Sequence, residues 1–277
     1  MKHPLSRIIR TELLPHEFCP GCGIGTVFHY AALAVEDLHL DLDKVAYISG
    51  IGCNGRGATY IRFDSAITLH GRALAFATGV KLSKPDLTVL VMMGDGDCSG
   101  IGGNHLIHAA RRNLDVTAIV LNNEVYGSTG GQLAPTTRTG AYSPTTPYGN
   151  IEDPFDLCKM AEAAGATYVA RWTTIHMRSA INSIKKGIQN KGFSFIEILT
   201  QCPTHFGRRI LKARSPADVL KYYRQVSIRK EQAAKMDEKE LAGRIVVGEF
   251  VDRERPSLSQ RYRELVNRVR GPKPPPQ

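Results

Sequence analysis

An aspartate and an asparagine 28 positions apart, Asp95 and Asn123, carry the first chemistry legible in this chain. Each follows an apolar, β-branched run, residues 87–93 and 116–121, with the length and composition of a buried parallel strand. The first run ends in Gly94-Asp95-Gly96-Asp97, the second in Asn122-Asn123. Between them Leu106, Ile107 and Ala110 recur at helical spacing, which makes a strand–loop–helix–strand unit. Ligands of such sheets bind beyond the carboxyl ends of the strands, so Asp95 and Asn123 fall side by side. A carboxylate and an amide oxygen there suit Mg²⁺, which keeps one or two protein oxygens and takes the rest from phosphates and water.

Cysteines supply the second chemistry. Cys19-Pro20-Gly21-Cys22 is a tight knuckle that turns both sulfurs toward one point. It has three readings: redox dithiol, zinc half-site or iron–sulfur half-site. A thioredoxin-type dithiol follows a strand, and nothing before Cys19 reads as one. Cys53 lies in the glycine-rich stretch 50–57, an odd place for a core cysteine. Glycines at a strand end let the backbone approach a ligand and turn N–H groups toward anions. Cys202 follows the last apolar run, 194–199, so Cys19, Cys22, Cys53 and Cys202 can meet on the ligand side of a sheet. Cys98 and Cys158 read as structural. Arg56, on the Cys53 loop, suits a bidentate contact with a substrate carboxylate, or else meets a partner or solvent. His70 reads either as a phosphate donor or as a structural cap.

These side chains need a scaffold. Strands are expected at 45–49, 87–93, 116–121, 167–170 and 194–199, and helices at 25–38, 73–81, around 106–110, 155–164 and 175–188. Five strands joined by helical crossovers make an α/β, doubly wound parallel sheet. Residues 126–132 form a flexible loop rich in hydroxyls and N–H groups, and 135–154 a long ordered loop over the site. Residues 1–18 read as an extended lead-in. The organisation is a site-bearing domain over 1–205 and a mostly helical or irregular basic extension over 206–277. Within the extension, 215–236 reads as a charged helix, 244–258 as irregular apart from 245–247, 260–270 as a basic helix, and the Pro-rich end as disordered.

At 277 residues the chain can bury a sizeable core. Its formal charge of +10 is concentrated at the end, where residues 205–277 hold 18 Lys and Arg against 9 Asp and Glu. No aromatic platform or zinc-finger spacing accompanies that charge, so nucleic acid is not the expected partner. A docking surface for a subunit or an acidic protein is the functional reading, and a solvated face the plain one. No apolar run approaches the roughly 20 residues that span a membrane. The N-terminal stretch has no apolar core of a signal peptide. Six cysteines without a secretion signal point to a reducing compartment, the cytoplasm.

GDG followed at this interval by NN resembles the thiamine diphosphate (TPP) motif. The resemblance implies that Asp95, Asn123 and the carbonyl of Val125 hold Mg²⁺ on the diphosphate. The wider pattern is C-x-x-C, G-x-G-C after the first strand, HGRA, GDGD, NNEVYGSTGGQ and a late Cys-Pro. Over residues 18–205 it resembles the β subunits of 2-oxoacid:ferredoxin oxidoreductases, most closely the 2-oxoglutarate branch. That resemblance implies the diphosphate-domain version of the α/β fold. It also implies that Cys19, Cys22, Cys53 and Cys202 ligate a [4Fe–4S] cluster. Ile51, Gly52, Cys53, Asn54, His70, Gly96, Asp97, Gly127 and Ser128 would contact TPP. The implied activity is oxidative decarboxylation of a 2-oxoacid, 2-oxoglutarate before pyruvate or another, with coenzyme A taking the acyl group and ferredoxin the electrons. The Glu that activates TPP is carried in such enzymes by a second domain, absent from this sequence. An α subunit is therefore expected, in an αβ or (αβ)₂ assembly. Two rivals remain: a non-redox TPP decarboxylase or synthase with structural zinc, and a non-catalytic electron-transfer or scaffold subunit.

Overall fold

The computed structural model describes residues 3–271. In chain order the strands are β1 (Val45–Ser49), β2 (Asp64–Ile67), β3 (Thr88–Gly94), β4 (Val116–Asn122), β5 (Val125–Tyr126), β6 (Gln132–Leu133), β7 (Tyr168–Thr173), β8 (Phe193–Leu199), β9 (Ser227–Arg229) and β10 (Ile245–Asp252). The helices that position the site are α1 (Gly23–Asp37), α2 (Ala73–Ser83), α3 (Gly103–Arg112), α4 (Leu157–Ala163), α5 (Met177–Gln189) and α6 (Pro216–Val226).

β4 and β8 are buried at every position, and the central strands are mostly apolar, because both faces of the sheet are covered. Leu90 and Met92 of β3, Ile119 and Leu121 of β4, and Ile196 and Ile198 of β8 face α1 and α5. The alternate residues, Val89, Val91 and Met93, then Ala118 and Val120, then Phe193 and Phe195, face α2, α3 and α4. The strand period of two thus divides one continuous apolar run between two cores. The sheet order is β2-β1-β3-β4-β8-β7-β10-β9. From β2 to β7 every pairing is parallel, which places the ends of β1, β3, β4 and β8 on one rim.

The five expected strands are all present, and the sheet is larger and mixed. β10 pairs antiparallel with β7, and β9 pairs with β10. The stretch 244–258, expected to be irregular apart from 245–247, contains β10, which begins at Ile245 and runs on to Asp252. A register shift between Glu249 and Val251 breaks its alternation, and such a bulge erases the periodic signal. The expected helix 215–236 stops at Val226, where the chain enters β9. The segment after residue 206 therefore extends the sheet. The lead-in is more than extended chain: Leu5, Ile8 and Ile9 are in the core, and Ile9 bridges to Ile61. The long loop is ordered as expected, with the Asn150 side chain donating to the carbonyls of Thr137, Arg138 and Glu152. The Pro-rich end lies outside the described residues.

One buried side chain ties four segments together at the opposite rim. Asn113, 0% exposed, caps α3 in the left-handed conformation at φ 54°. Its Oδ1 accepts from the Phe193 N–H at 2.8 Å and from the Thr167 hydroxyl at 3.1 Å. Its Nδ2 donates to the carbonyls of Arg255 and Pro256 at 2.9 and 3.2 Å. An alanine there strands a buried N–H and loses a residue type tolerant of positive φ. Asn113→Ala is expected to destabilise the chain by about 2–4 kcal/mol. The check is a lower urea midpoint with an unchanged m-value, and an unmoved midpoint would refute the role.

Candidate active site

Loops from β1, β3 and β4 enclose a cavity of 210 Å³ beyond their carboxyl ends. The β1 loop contributes Ile51, Gly52, Cys53 and Asn54, and the GDGD turn contributes Asp95, Gly96 and Asp97. Asn123, Val125, Gly127 and Ser128 come from the segment after β4, and His70 from the turn before α2. Every residue expected to touch TPP or Mg²⁺ thus lines one cavity.

Asp97 fastens three of these loops. Its Oδ1 accepts from the Gly71 N–H at 2.7 Å, from the Ile51 N–H at 3.4 Å and from His70 Nδ1. Its Oδ2 is buried without a partner. Gly50 makes the approach possible, because a Cβ there would overlap the carboxylate. Burial raises the Asp97 carboxyl, against the Gly71 N–H and the His70 charge. His70 thus engages Asp97 through Nδ1 while its ring lines the cavity. After Gly96 the chain winds as a π-helix, Asp97–Ile101, a feature common at functional sites.

Asp95 is 2% exposed. It accepts from the Asn123 N–H at 3.4 Å and from the Thr136 hydroxyl. Burial pushes its carboxyl up to about 7, although both hydrogen bonds favour the ionised form. A carboxylate so poorly compensated fits a site that takes a cation. Beside it the Asn123 Oδ1 accepts from the Val125 N–H at 3.3 Å.

A polar network holds the Asn123 loop from beneath. Asn122 donates to Glu197 Oε1 at 2.7 Å and accepts the Glu124 N–H at 3.0 Å. Glu124 sits at φ 59°, and its two carboxylate oxygens take the fork of Arg138 at 2.7 and 2.5 Å. Arg138 also donates to the Tyr222 hydroxyl at 2.6 Å and lies over the rings of Phe206 and Tyr222. The long loop and the C-terminal segment thereby clamp the residues that flank Asn123. Sequence reasoning missed Thr136, Glu124, Arg138 and Glu197. The only local signals were an acid beside the Asn pair and a Thr pair after Pro135.

A second cavity, of 100 Å³, adjoins the first. Cys19, Cys22, Cys53 and Cys202 all line it, as the chain order suggested. Ile24, Cys53, Asn123 and Gly127 line both cavities and form their shared wall. The Cys22 thiol is pushed up to about 12 by burial, and charges on Cys202, Cys53 and Cys19 add to the rise. Burial raises Cys53 too, again with Cys202 and Cys19 contributing. Thiols that oppose one another's ionisation fit a shared cationic centre, which stabilises all the thiolates at once. Among the described residues, no three His, Cys, Asp or Glu side chains form a ready-made single-ion site. Cys98 and Cys158 lie in the core on the α2–α4 face, away from this cavity. Arg56 borders the cysteine cavity rather than the first one, and pairs with Glu17 at the surface.

The family described as "Thiamine pyrophosphate enzyme, C-terminal TPP binding domain" matches residues 50–198. The 2-oxoglutarate synthase subunit KorB of Methanothermobacter thermautotrophicus is 49% identical over 98% of this chain and 94% of its own length. The KorB subunit of Methanocaldococcus jannaschii is 50% identical over 97% of this chain and 99% of its own. A solved 2-oxoglutarate:ferredoxin oxidoreductase from Magnetococcus marinus, with 2-oxoglutarate, coenzyme A and succinyl-CoA bound, superposes with a TM-score of 0.86. It shares 30% identity over 98% of this chain and 92% of that one. A cavity framed by GDGD and NN, a family match across it and near-full-length relatives agree: the chain belongs to the TPP enzymes, as a β subunit of the 2-oxoacid:ferredoxin oxidoreductases.

Proposed function

We propose that this chain is the cofactor-bearing subunit of a complex that oxidatively decarboxylates 2-oxoglutarate to succinyl-CoA and CO₂ and passes the electrons to ferredoxin. The carrying observation is the wall of Ile24, Cys53, Asn123 and Gly127 between the GDGD cavity and the four-cysteine cavity. A carbon centre that releases electrons and a centre that collects them need such proximity. A zinc held for structure alone has no use for it.

Asp95, Asn123 and the Val125 carbonyl would hold Mg²⁺. The Ile51–Asn54 loop, His70, Gly96, Asp97, Gly127 and Ser128 would hold TPP, and Cys19, Cys22, Cys53 and Cys202 a [4Fe–4S] cluster. Bound TPP supplies the nucleophilic carbon and the electron sink for decarboxylation, and the cluster a one-electron store. The chain's own share is positioning. Asp97 keeps the β1 loop, the His70 turn and the GDGD turn at fixed separations, so a diphosphate meets preset N–H groups. The Glu124–Arg138 fork keeps Asn123 from drifting. Arg56 is assigned to a substrate carboxylate, which requires release from Glu17. Coenzyme A enters as co-substrate. The six unpaired thiols suit the cytoplasm, and no helix among the described residues is long and apolar enough to cross a membrane.

The activating Glu must come from an α subunit, so the purified chain alone is expected to show no 2-oxoglutarate-dependent reduction of ferredoxin. Turnover should appear on adding that subunit. Full activity of this polypeptide by itself would reject the division of labour. Cys202→Ala is expected to abolish electron delivery and lower iron and sulfide content, whereas Cys98→Ala should leave both near wild type. A colourless, zinc-loaded wild-type complex that still oxidises 2-oxoacids would overturn the cluster. Arg56→Ala should raise KM for 2-oxoglutarate about tenfold or more while TPP affinity stays put. Unchanged kinetics would remove Arg56 from the site.

A further inference from the structure

The cysteine cavity has an outer side. Cys19 is the exposed sulfur of the four, Cys22 and Cys53 are partly covered, and Cys202 is buried. Next to Cys19 a cleft of 310 Å³ runs between the knuckle and the segment after β8, with Arg208 and Arg214 on its wall. The two sides are fixed against each other. Gly21 lies at φ 77°, and a Cβ there would strike the Pro216 ring at the start of α6. The π-helix Pro203–Ile210 begins at Cys202 and carries Arg208 and Arg209.

From residue 203 to residue 217 the chain has four cationic side chains, Arg208, Arg209, Lys212 and Arg214, and no acidic one. Arg209 is occupied, donating to the Gly130 carbonyl at 3.0 Å. Arg208, Lys212 and Arg214 are exposed. None of the three joins a salt bridge among the described residues. A net-basic rim thus flanks the exposed cysteine of the four: of the carboxylates around it, Glu17 is paired with Arg56 and Asp218 accepts from the backbone N–H groups of Arg214 and Ser215. Evenly solvated charge has no reason to collect there.

We propose that this rim is the electron exit, a docking surface on which carboxylates of a small, net-acidic iron–sulfur protein meet Arg208 and Arg214 beside Cys19. The proposal rests on the cluster reading of the four cysteines and adds the place and chemistry of partner contact. With a [4Fe–4S] cluster held by the four cysteines, each docking event would pass one electron, oxidising that cluster by one and reducing the acceptor's cluster by one. Oxidative decarboxylation releases two electrons, so two acceptor molecules dock in each turnover. Electron-transfer contacts are small and brief, and opposite charge serves them by steering encounter rather than by tight binding.

The test uses the assembled complex with its α subunit and a purified acidic ferredoxin. Arg208→Glu/Arg214→Glu is expected to weaken the ferredoxin Kd by about tenfold or more at low salt, and the difference should shrink at high salt. Iron content and 2-oxoglutarate-driven reduction of methyl viologen, which needs no docking surface, should remain at wild-type level. The control Arg268→Glu/Arg270→Glu makes the same charge change on the helix Leu258–Arg270 and should leave Kd near wild type. A wild-type Kd in the first variant, an equal loss in the control, or loss of the α subunit from the first variant would each overturn the surface. Those results in an iron-loaded complex leave the cluster reading standing, whereas an iron-free, zinc-loaded wild type overturns both.

Discussion

A carboxylate shut away from water at the end of a strand is the constraint around which this site is built. Asp95 follows β3, a strand buried on both faces, and has almost no solvent. Its carboxyl stands near 7 in the fold, against 3.8 ordinarily. A raised acid favours the protonated form, so folding loses free energy as pH rises from about 4 through 7. The loss is on the order of 4 kcal/mol once the group is ionised. The Thr136 hydroxyl and the Asn123 N–H already hold the carboxyl below where burial alone would put it, and a divalent cation bound there would offset what remains. The loop carrying Thr136 supplies one of the two hydrogen bonds to this carboxylate. The same segment is tied down by Asn150 and Arg138.

The same economy of position joins the two cavities. The loop after β1 makes one pass across the rim. Along that pass Ile51 donates to Asp97, Asn54 donates to the Met92 carbonyl at 3.1 Å, and Cys53 between them faces the other cysteines. Backbone that lines the first cavity and a thiol that lines the second thus share one short segment. The cysteines at the chain's two distant ends of this site, the Cys19 knuckle and Cys202, are brought in by different means. The knuckle precedes α1, which packs on β1, and Cys202 follows β8, which pairs with β4.

Much of this was legible in the sequence, and the reasons for the exceptions are physical. Residues that end a buried parallel strand are marked twice, by the apolar run and by the turn that stops it. Asp95, Asn123, Cys53 and Cys202 could therefore be placed on one rim without coordinates. Strands at the margins carry no such mark. β2 is mostly exposed, β9 is three residues long, and β10 has a bulge through its middle. The core role of Leu5, Ile8 and Ile9 was hidden because the segment is irregular and its partner, Ile61, lies in another irregular segment. Arg56 shows the other limit. Its loop was placed correctly, yet the side chain turns to Glu17, a residue of the lead-in that no local pattern connects to it.

Buried ion pairs account for the remaining precision. Glu197, 2% exposed, stands in the middle of β8 with Arg171 at 2.6 Å on one oxygen and Asn122 at 2.7 Å on the other. Asn122 in turn receives Glu124, and Glu124 holds Arg138, which rests on Phe206 and Tyr222. Such pairs contribute little net stability, because desolvating both charges offsets most of their attraction. Breaking one is costly, about 3–5 kcal/mol, since a lone charge is left inside. Their effect is therefore on register. A hydrophobic contact tolerates a shift of an ångström, whereas a fork on a carboxylate does not. Asn122 is the link between the rigid centre of the sheet and the loop that follows it, and the next residue, Asn123, is the amide assigned to the cation. The network thus transfers the rigidity of β8 to a loop that has no secondary structure of its own at that point.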